Sequence, residues 1–270
     1  MTTTASPDLK ARHRAMWALG DYARIADELV PDIGQHVADA CRIRPGERVL
    51  DVAAGTGNAA IPAALAGGSV TASDLTPELL AIGGRRAAEA GVAIAWESAD
   101  AEALPYDTGS YDVALSAIGV MFAPFHRAAA TELLRVTRPG GRIGVASWTP
   151  EGFIGRMFTA MKPYAPAPPE GAQPPPLWGD EDHVRELFGD HVSDLTAERA
   201  TVPVTAFATG AELRDYFKAW YGPTIVAYRS LGDDAARIAE LDAALAELGD
   251  RWIEEGRMEW EYLLVTATRR

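Results

Sequence analysis

Three aspartates stand where apolar runs of this 270-residue chain end: Asp51 closes the run from Arg48, Asp74 closes Ser69 to Ser73, and Asp100 follows Ala93 to Ser98. Directly after the first comes Ala53-Ala54-Gly55-Thr56-Gly57, and Asn58 then opens an Ala-rich helical run. A strand, a tight glycine turn and a helix bring bare backbone and the positive end of a helix close to a ligand, so a nucleotide-like ligand is the first expectation. Gly55, Gly57 and Ala60 satisfy the dinucleotide fingerprint, in which an acidic residue about 20 positions later holds the ribose hydroxyls; Asp74 fills that slot. Asp51 narrows the choice. A negative charge just before the glycines would repel a pyrophosphate and favour a ligand that carries an ammonium and a sulfonium. The same residues otherwise read as an ordinary strand-to-helix turn with capping aspartates.

These side chains need elements that hold them at one edge. The sequence predicts strands over 48–51, 69–74, 93–98, 111–118 and 142–147, with helices over 59–66, 76–90 and 125–136 between them. That alternation demands a parallel sheet with right-handed crossovers and helices on both faces, an α/β, doubly wound architecture whose ligands sit at the carboxyl ends of the strands. Ahead of it, Leu9 to Leu19 reads as a helix stopped by Gly20. Asp21 caps a second helix, and Pro31 fits the first turn of a third. Beyond residue 150 the pattern changes. Seven of the fourteen residues from Pro163 to Pro176 are proline, which blocks helix and central strand and suggests a stiff connector or lid. A short helix from Glu181 to Phe188 and an alternating strand from Leu195 to Phe207 follow. Glu212 to Arg229 is an aromatic-rich segment broken at Pro223, Asp233 to Glu255 an amphipathic helix, and Glu259 to Thr268 a closing strand. The expected division is a helical cap over 1–45, a ligand-binding core over 46–150, a variable lid and substrate region over 151–256, and a closing strand over 257–270.

The sign of Asp51 points to S-adenosylmethionine as the cofactor. The string VLDVAAGTGNAA resembles the first motif of class I S-adenosylmethionine-dependent methyltransferases, and LLRVTRPGGRI, Leu133 to Ile143, resembles the turn they carry before the fifth strand. Ser73-Asp74-Leu75-Thr76 is similar to the ribose-binding end of their second strand, and Ser98-Ala99-Asp100-Ala101-Glu102 to the adenine-binding loop after the third. Four motifs in family order cover Gly46 to about Trp148, and the small-molecule enzymes akin to ubiquinone and menaquinone biosynthesis methyltransferases are the nearest kind. The resemblance implies a seven-stranded, mostly parallel Rossmann-like sheet with an antiparallel final strand. It also implies a cofactor site of Asp51, Ala53, Gly55, Gly57, Asp74, Leu75, Asp100, Ala101 and, at the end of the fourth strand, Ser116. The function it implies is methylation of oxygen or carbon on a small organic metabolite.

Methyl transfer is an in-line displacement in which positioning supplies much of the acceleration, so no metal or nucleophilic side chain is required. A base is needed only where the acceptor must lose a proton. His126, just past the apolar loop Gly119 to Pro124, is the best-placed imidazole, although it reads equally as a helix-start histidine packing beside Ala130 and Leu133. The resembling enzymes line the methyl-transfer chamber with an N-terminal aromatic, and Tyr22 is the candidate here, with a core aromatic as its plain alternative. An NAD(P)-dependent oxidoreductase shares the glycine pattern but is disfavoured by Asp51 and by the Arg138-Pro139-Gly140-Gly141 turn. A non-catalytic S-adenosylmethionine-binding protein of the same fold is the third reading.

Composition removes other classes. A formal charge of −13 with no basic stretch argues against a nucleic-acid partner. Cys41 is the single cysteine and the five histidines lack ligand spacing with carboxylates, so neither a disulfide nor a metal site is expected. The N-terminal MTTTASPDLKARHR has no signal-peptide core, and no run reaches the roughly 18 apolar residues of a membrane span. A cytoplasmic protein acting on a small-molecule acceptor is expected, and a homodimer is compatible with the sequence.

Overall fold

The computed structural model describes residues 5–270. Seven strands form one sheet: β1 (Arg48–Val52), β2 (Ser69–Asp74), β3 (Ala95–Ser98), β4 (Tyr111–Ala117), β5 (Thr137–Trp148), β6 (Val192–Val204) and β7 (Met258–Arg269). Their spatial order is β3-β2-β1-β4-β5-β7-β6. The first five run parallel, and β7 runs antiparallel to both β5 and β6. Val49, Leu50 and Val52 of β1 and Val113, Ala114 and Leu115 of β4 are completely buried, as expected for central strands covered on both faces. The register sets Asp51 beside Ala72 and Leu115, and Asp74 beside Ser98, so the carboxyl ends of β1 to β4 meet at one edge.

The helices of this half are α1 (Pro7–Trp17), α2 (Tyr22–Leu29), α3 (Ile33–Ala40), α4 (Ala60–Leu65), α5 (Pro77–Glu89) and α6 (His126–Val136). Ser6 caps α1 through Leu9 N–H, and Asp21 caps α2 through Arg24 N–H, so both begin where a side-chain oxygen satisfies the first free amides. The first helix thus starts two residues earlier than its apolar pattern suggests. Of the three N-terminal helices, α3 packs on β4 and β5 through buried Val37 and Cys41. Helices α1 and α2 cross the carboxyl edge instead.

The second half adds α7 (Phe153–Met161), α8 (Glu181–Phe188), α9 (Gly210–Trp220), α10 (Gly222–Ser230) and α11 (Ala235–Trp252). Helix α7 buries Phe153, Ile154, Met157 and Met161, at i, i+1, i+4 and i+8 along one face, against β7 and α11. Strand β6 begins three residues before the expected Leu195, past a bulge between Ser193 and Thr196. The proline-rich stretch runs without regular structure to a 3₁₀ turn at Pro175–Gly179, whose Trp178 is completely buried. Pro223 falls in the first turn of α10, which is why the aromatic segment becomes two helices. Among the described residues no helix is long and apolar enough to cross a membrane.

Candidate cofactor and acceptor site

The carboxyl edge of the sheet opens into a cavity of about 1340 Å³, counting its open mouth. Its nucleoside end is built by the chain order itself. Asp74, at the last position of β2, accepts from Gly55 N–H at 2.9 Å through Oδ2 and from Thr76 N–H at 2.8 Å through Oδ1. One carboxylate therefore ties the glycine turn to the start of α5. Burial pushes Asp74 above the ordinary carboxylate range, against the opposing pull of those amides. Asp100 accepts from Glu102 N–H at 2.9 Å and from Lys10 Nζ at 2.7 Å. Lys10 also meets Glu102 at 2.9 Å, and the Glu102 side chain is completely buried. Lys10, His13 and Trp17 all line the cavity, and their i, i+3, i+7 spacing lays them along one face of α1.

The other end is aromatic. Trp17 sits 5.4 Å from Tyr22 and 4.6 Å from Phe122, centroid to centroid; Tyr22 sits 6.1 Å from Tyr221; Phe158 lies 6.0 Å from Phe122 and 6.4 Å from Tyr221. These five rings form a closed collar drawn from α1, α2, the loop after β4, α7 and the α9–α10 junction. Phe217, Trp260 and Trp148 continue the wall. Edge-to-face contacts at these separations hold each ring in one orientation.

Two turns at the mouth of the sheet are strained. Ala53, after β1, has φ +55°, and Ile118, after β4, has φ +54°, a conformation that is a true outlier for a β-branched residue. Both line the cavity. Gly119 lies between them: a Cβ there would meet Ala53 O and, at 3.0 Å, both Ala53 Cβ and Ser116 Oγ. Strain of this kind persists only where neighbouring contacts over-determine the backbone, and it gathers at ligand sites.

Of the residues singled out from sequence, Tyr22, Ala53, Gly55, Asp74, Leu75, Asp100 and Ala101 line the cavity. Four stand behind its wall. Asp51 is 1% exposed, with no hydrogen-bond partner on either oxygen; burial pushes its pKa well up, with Asp74 adding to the rise and the nearby Ala60 amide opposing it. Gly57 turns the backbone at φ +89° with the Trp96 ring filling its side-chain space. Ser116 donates to Val52 O at 2.6 Å and accepts from Val120 N–H at 2.8 Å, tying β1, β4 and the following turn together. His126 is completely buried against Trp178, with Nδ1 3.0 Å from His183 Nε2. Burial, then His183, pushes its pKa down to about 3, with the Met121 backbone opposing. The structure places His126 outside the cavity: its sealed imidazole, at the first position of α6, faces Trp178 and the His183 side chain of α8. The cavity residues that sequence reading passed over are Lys10, His13, Trp148 and Trp260. The i, i+3, i+7 face of α1 is the signal that would have found the first two.

A mixed sheet in this order, with a glycine turn and two aspartates at successive strand ends facing a cavity, defines a nucleoside-cofactor transferase of the Rossmann-like kind. The residues present fit S-adenosylmethionine: Gly55 leaves open space above the turn, and Asp74 and Asp100 present carboxylates to the cavity. Residues 49–141 match the family model described as a methyltransferase domain. The chain carries an S-adenosylmethionine-dependent methyltransferase domain, and S-adenosylmethionine is its cofactor. It is 52% identical to an uncharacterized protein of Mycobacterium tuberculosis, over 95% of this chain and 94% of that one. A demethylmenaquinone methyltransferase of Paenarthrobacter aurescens is 31% identical over 57% of this chain and 65% of its own length. Among solved structures, the YcgJ protein of Bacillus subtilis superposes with a TM-score of 0.60 at 17% identity, over 88% of this chain and 98% of that one.

Proposed function

We propose that this enzyme moves the methyl group of S-adenosylmethionine to an oxygen or carbon of a small, uncharged organic acceptor held in the aromatic collar. The observation that carries this reading is the partition of the cavity. Its charged lining residues, Lys10, Asp74 and Asp100, stand with His13 at the nucleoside end, while Trp17, Tyr22, Phe122, Trp148, Phe217, Tyr221 and Trp260 supply only rings and neutral polar atoms. A charged acceptor would lose its hydration there without gaining a partner. The Paenarthrobacter relative is named as a demethylmenaquinone methyltransferase.

Asp74 and Leu75 would hold the ribose, Asp100 and Ala101 the adenine, and the turn Ala53 to Gly57 the methionine portion, with Ser116 and Asp51 supporting that turn from behind. The bound cofactor supplies a methyl group on a sulfonium that departs as a neutral thioether. The chain supplies position and dryness: the collar excludes water, and the apolar wall presents the acceptor without a charged competitor. Tyr22, whose hydroxyl accepts from Gly222 N–H at 3.1 Å, is fixed as part of that wall. Incubation with methyl-labelled S-adenosylmethionine and a metabolite panel tests the reading. Labelled product should come from neutral ring compounds; transfer only to charged amines, or none with cofactor bound, would overturn it.

A further inference from the structure

Tyr221 is the one lining residue of the collar whose hydroxyl is left without a use inside the protein. Its neighbours are settled. The Tyr22 hydroxyl accepts from Gly222 N–H, and Gly222 permits this because a Cβ there would meet Met16 O at 2.5 Å and Tyr22 Oη at 2.7 Å. The Trp260 indole N–H also lacks a partner, but it is sealed away from any space a ligand could enter. Tyr221 makes no side-chain hydrogen bond among the described residues, lines the cavity, and its hydroxyl is not among the sealed polar atoms.

The ring that carries this hydroxyl is immobile. Tyr221 is 7% exposed and is wedged edge-on among Phe217 at 5.4 Å, Tyr22 at 6.1 Å and Phe158 at 6.4 Å. Its backbone bridges two helices as the last cap of α9 and the first of α10. Its hydroxyl opens on the cavity and has no protein partner among the described residues, so a hydrogen bond is available there to a ligand. Burial also holds the phenol protonated far above its ordinary range, with no charged neighbour contributing, so Tyr221 is a donor and not a base.

We propose that Tyr221 is an acceptor-binding residue: its hydroxyl donates a hydrogen bond to an oxygen of a flat, uncharged aryl acceptor and so fixes which atom of the ring faces the cofactor. The inference rests on the methyltransferase reading of this cavity. The collar sandwiches the ring plane with apolar edges, which are indifferent to rotation of a flat ligand, and the hydroxyl supplies the directional contact that removes that freedom. An acceptor oxygen on the ligand is the atom that takes up the O–H of this protonated phenol.

The test separates this inference from the function beneath it. Calorimetry first measures S-adenosylmethionine binding to the wild-type protein; absence of binding would sink the methyltransferase reading itself. With S-adenosylhomocysteine bound, so that no turnover occurs, 2-naphthol and 2-methylnaphthalene are compared as neutral probes of nearly equal size, and 2-naphthylmethylammonium, an alkylammonium that stays protonated at neutral pH, as the charged one. The wild type should favour 2-naphthol over 2-methylnaphthalene by about tenfold, the worth of one neutral hydrogen bond. Tyr221→Phe should bind both hydrocarbon-like probes equally, with cofactor affinity and melting temperature unchanged. A Tyr221→Phe protein that keeps the tenfold preference would overturn the proposal. So would a wild type with no preference or with tighter binding of the ammonium, or a variant that melts several degrees lower, which would make the hydroxyl structural.

Discussion

Replacing Asp74 by alanine removes more than two contacts to a ribose. Both carboxylate oxygens already hold backbone amides, Gly55 N–H at 2.9 Å and Thr76 N–H at 2.8 Å, so the same side chain shapes the glycine turn and starts α5. Hydrogen bonds to a charged group contribute about 1.5–3 kcal/mol each; two to ribose hydroxyls, partly replaced by water in the variant, leave a net loss near 3 kcal/mol. At about 1.4 kcal/mol per factor of ten, cofactor affinity should fall roughly 100-fold. The buried Thr76 amide is stranded at a further cost of about 1–3 kcal/mol in stability, whereas the Gly55 amide faces the cavity and regains water. At about 2–4 °C per kcal/mol for a chain of this size, the apo protein should melt several degrees lower. Asp74→Asn should do little better, since one of its two terminal atoms becomes a donor facing a donor. Because burial sets Asp74 above the ordinary carboxylate range, cofactor affinity in the wild type should also decline as pH falls through that raised value. Titration calorimetry with S-adenosylmethionine and thermal melts of the apo forms measure all of this. An alanine variant that melts with the wild type and binds within threefold would refute the assignment of both roles.

Asp51, with its folded pKa raised by burial, favours folding most below the ordinary carboxylate range and loses that contribution as pH rises through the folded value. Asp51→Asn should therefore raise the melting temperature at pH 8 more than at pH 5 and, since the carboxyl lies behind the wall, cost less than about tenfold in cofactor affinity, a penalty near 1.4 kcal/mol; an equal shift at both pH values would contradict this. The His126 and His183 imidazoles both have depressed pKa values, so their stabilising contribution is full above about pH 6.5 and is lost as pH falls, for His126 towards about 3. Thermal melts should show a decline of up to about 1.4 kcal/mol per pH unit for His126, flattened in His126→Asn, while that variant keeps its cofactor affinity. Ala53→Gly should raise stability by about 1 kcal/mol by relieving the left-handed backbone. Gly119→Ala should instead distort that turn and weaken cofactor binding in calorimetry, and an unaffected Gly119→Ala would show that the Ala53 contact yields freely.

The strand ends at the carboxyl edge of the sheet were legible because their determinants are local. Asp51, the glycine turn and Asp74 are consecutive elements of one strand-helix-strand unit, and alternation of the sheet forces their ends together. His126 shows where such reading stops. Its place in the chain, just after the loop beyond β4, put it near the cofactor, but the face of α6 it occupies is set by Trp178 and His183, more than fifty residues away. The Ser116 hydroxyl, at the end of β4, donates to Val52 O and accepts from Val120 N–H, partners that its place in the sequence does not announce. The acceptor chamber was legible only as a composition, rich in aromatics between Tyr216 and Tyr228. Which of these rings face inward depends on pairings such as Tyr22 with Gly222, 200 residues apart, that no period in the sequence encodes.

Helix α1 connects the two halves physically. Lys10 anchors one end of it to Asp100 and to the completely buried Glu102, and Glu102 in turn accepts from Phe125 N–H at 2.9 Å and from Ala5 N–H at 2.9 Å. Two turns further on, Trp17 meets Phe122 at 4.6 Å and Tyr22 at 5.4 Å. A rigid helix with the adenine-side carboxylate at one end and the collar at the other cannot shift at one without shifting at the other. The salt bridge itself sits where a charge is costly to leave alone, with Lys10 only 13% exposed and Glu102 sealed, so its removal would be felt as an uncompensated carboxylate rather than as a lost surface pair. If Asp100 accepts the adenine amine, as proposed, the cofactor joins the carboxylate whose Oδ1 holds Lys10, and a displacement of that lysine is carried along α1 to Trp17 and the aromatic collar.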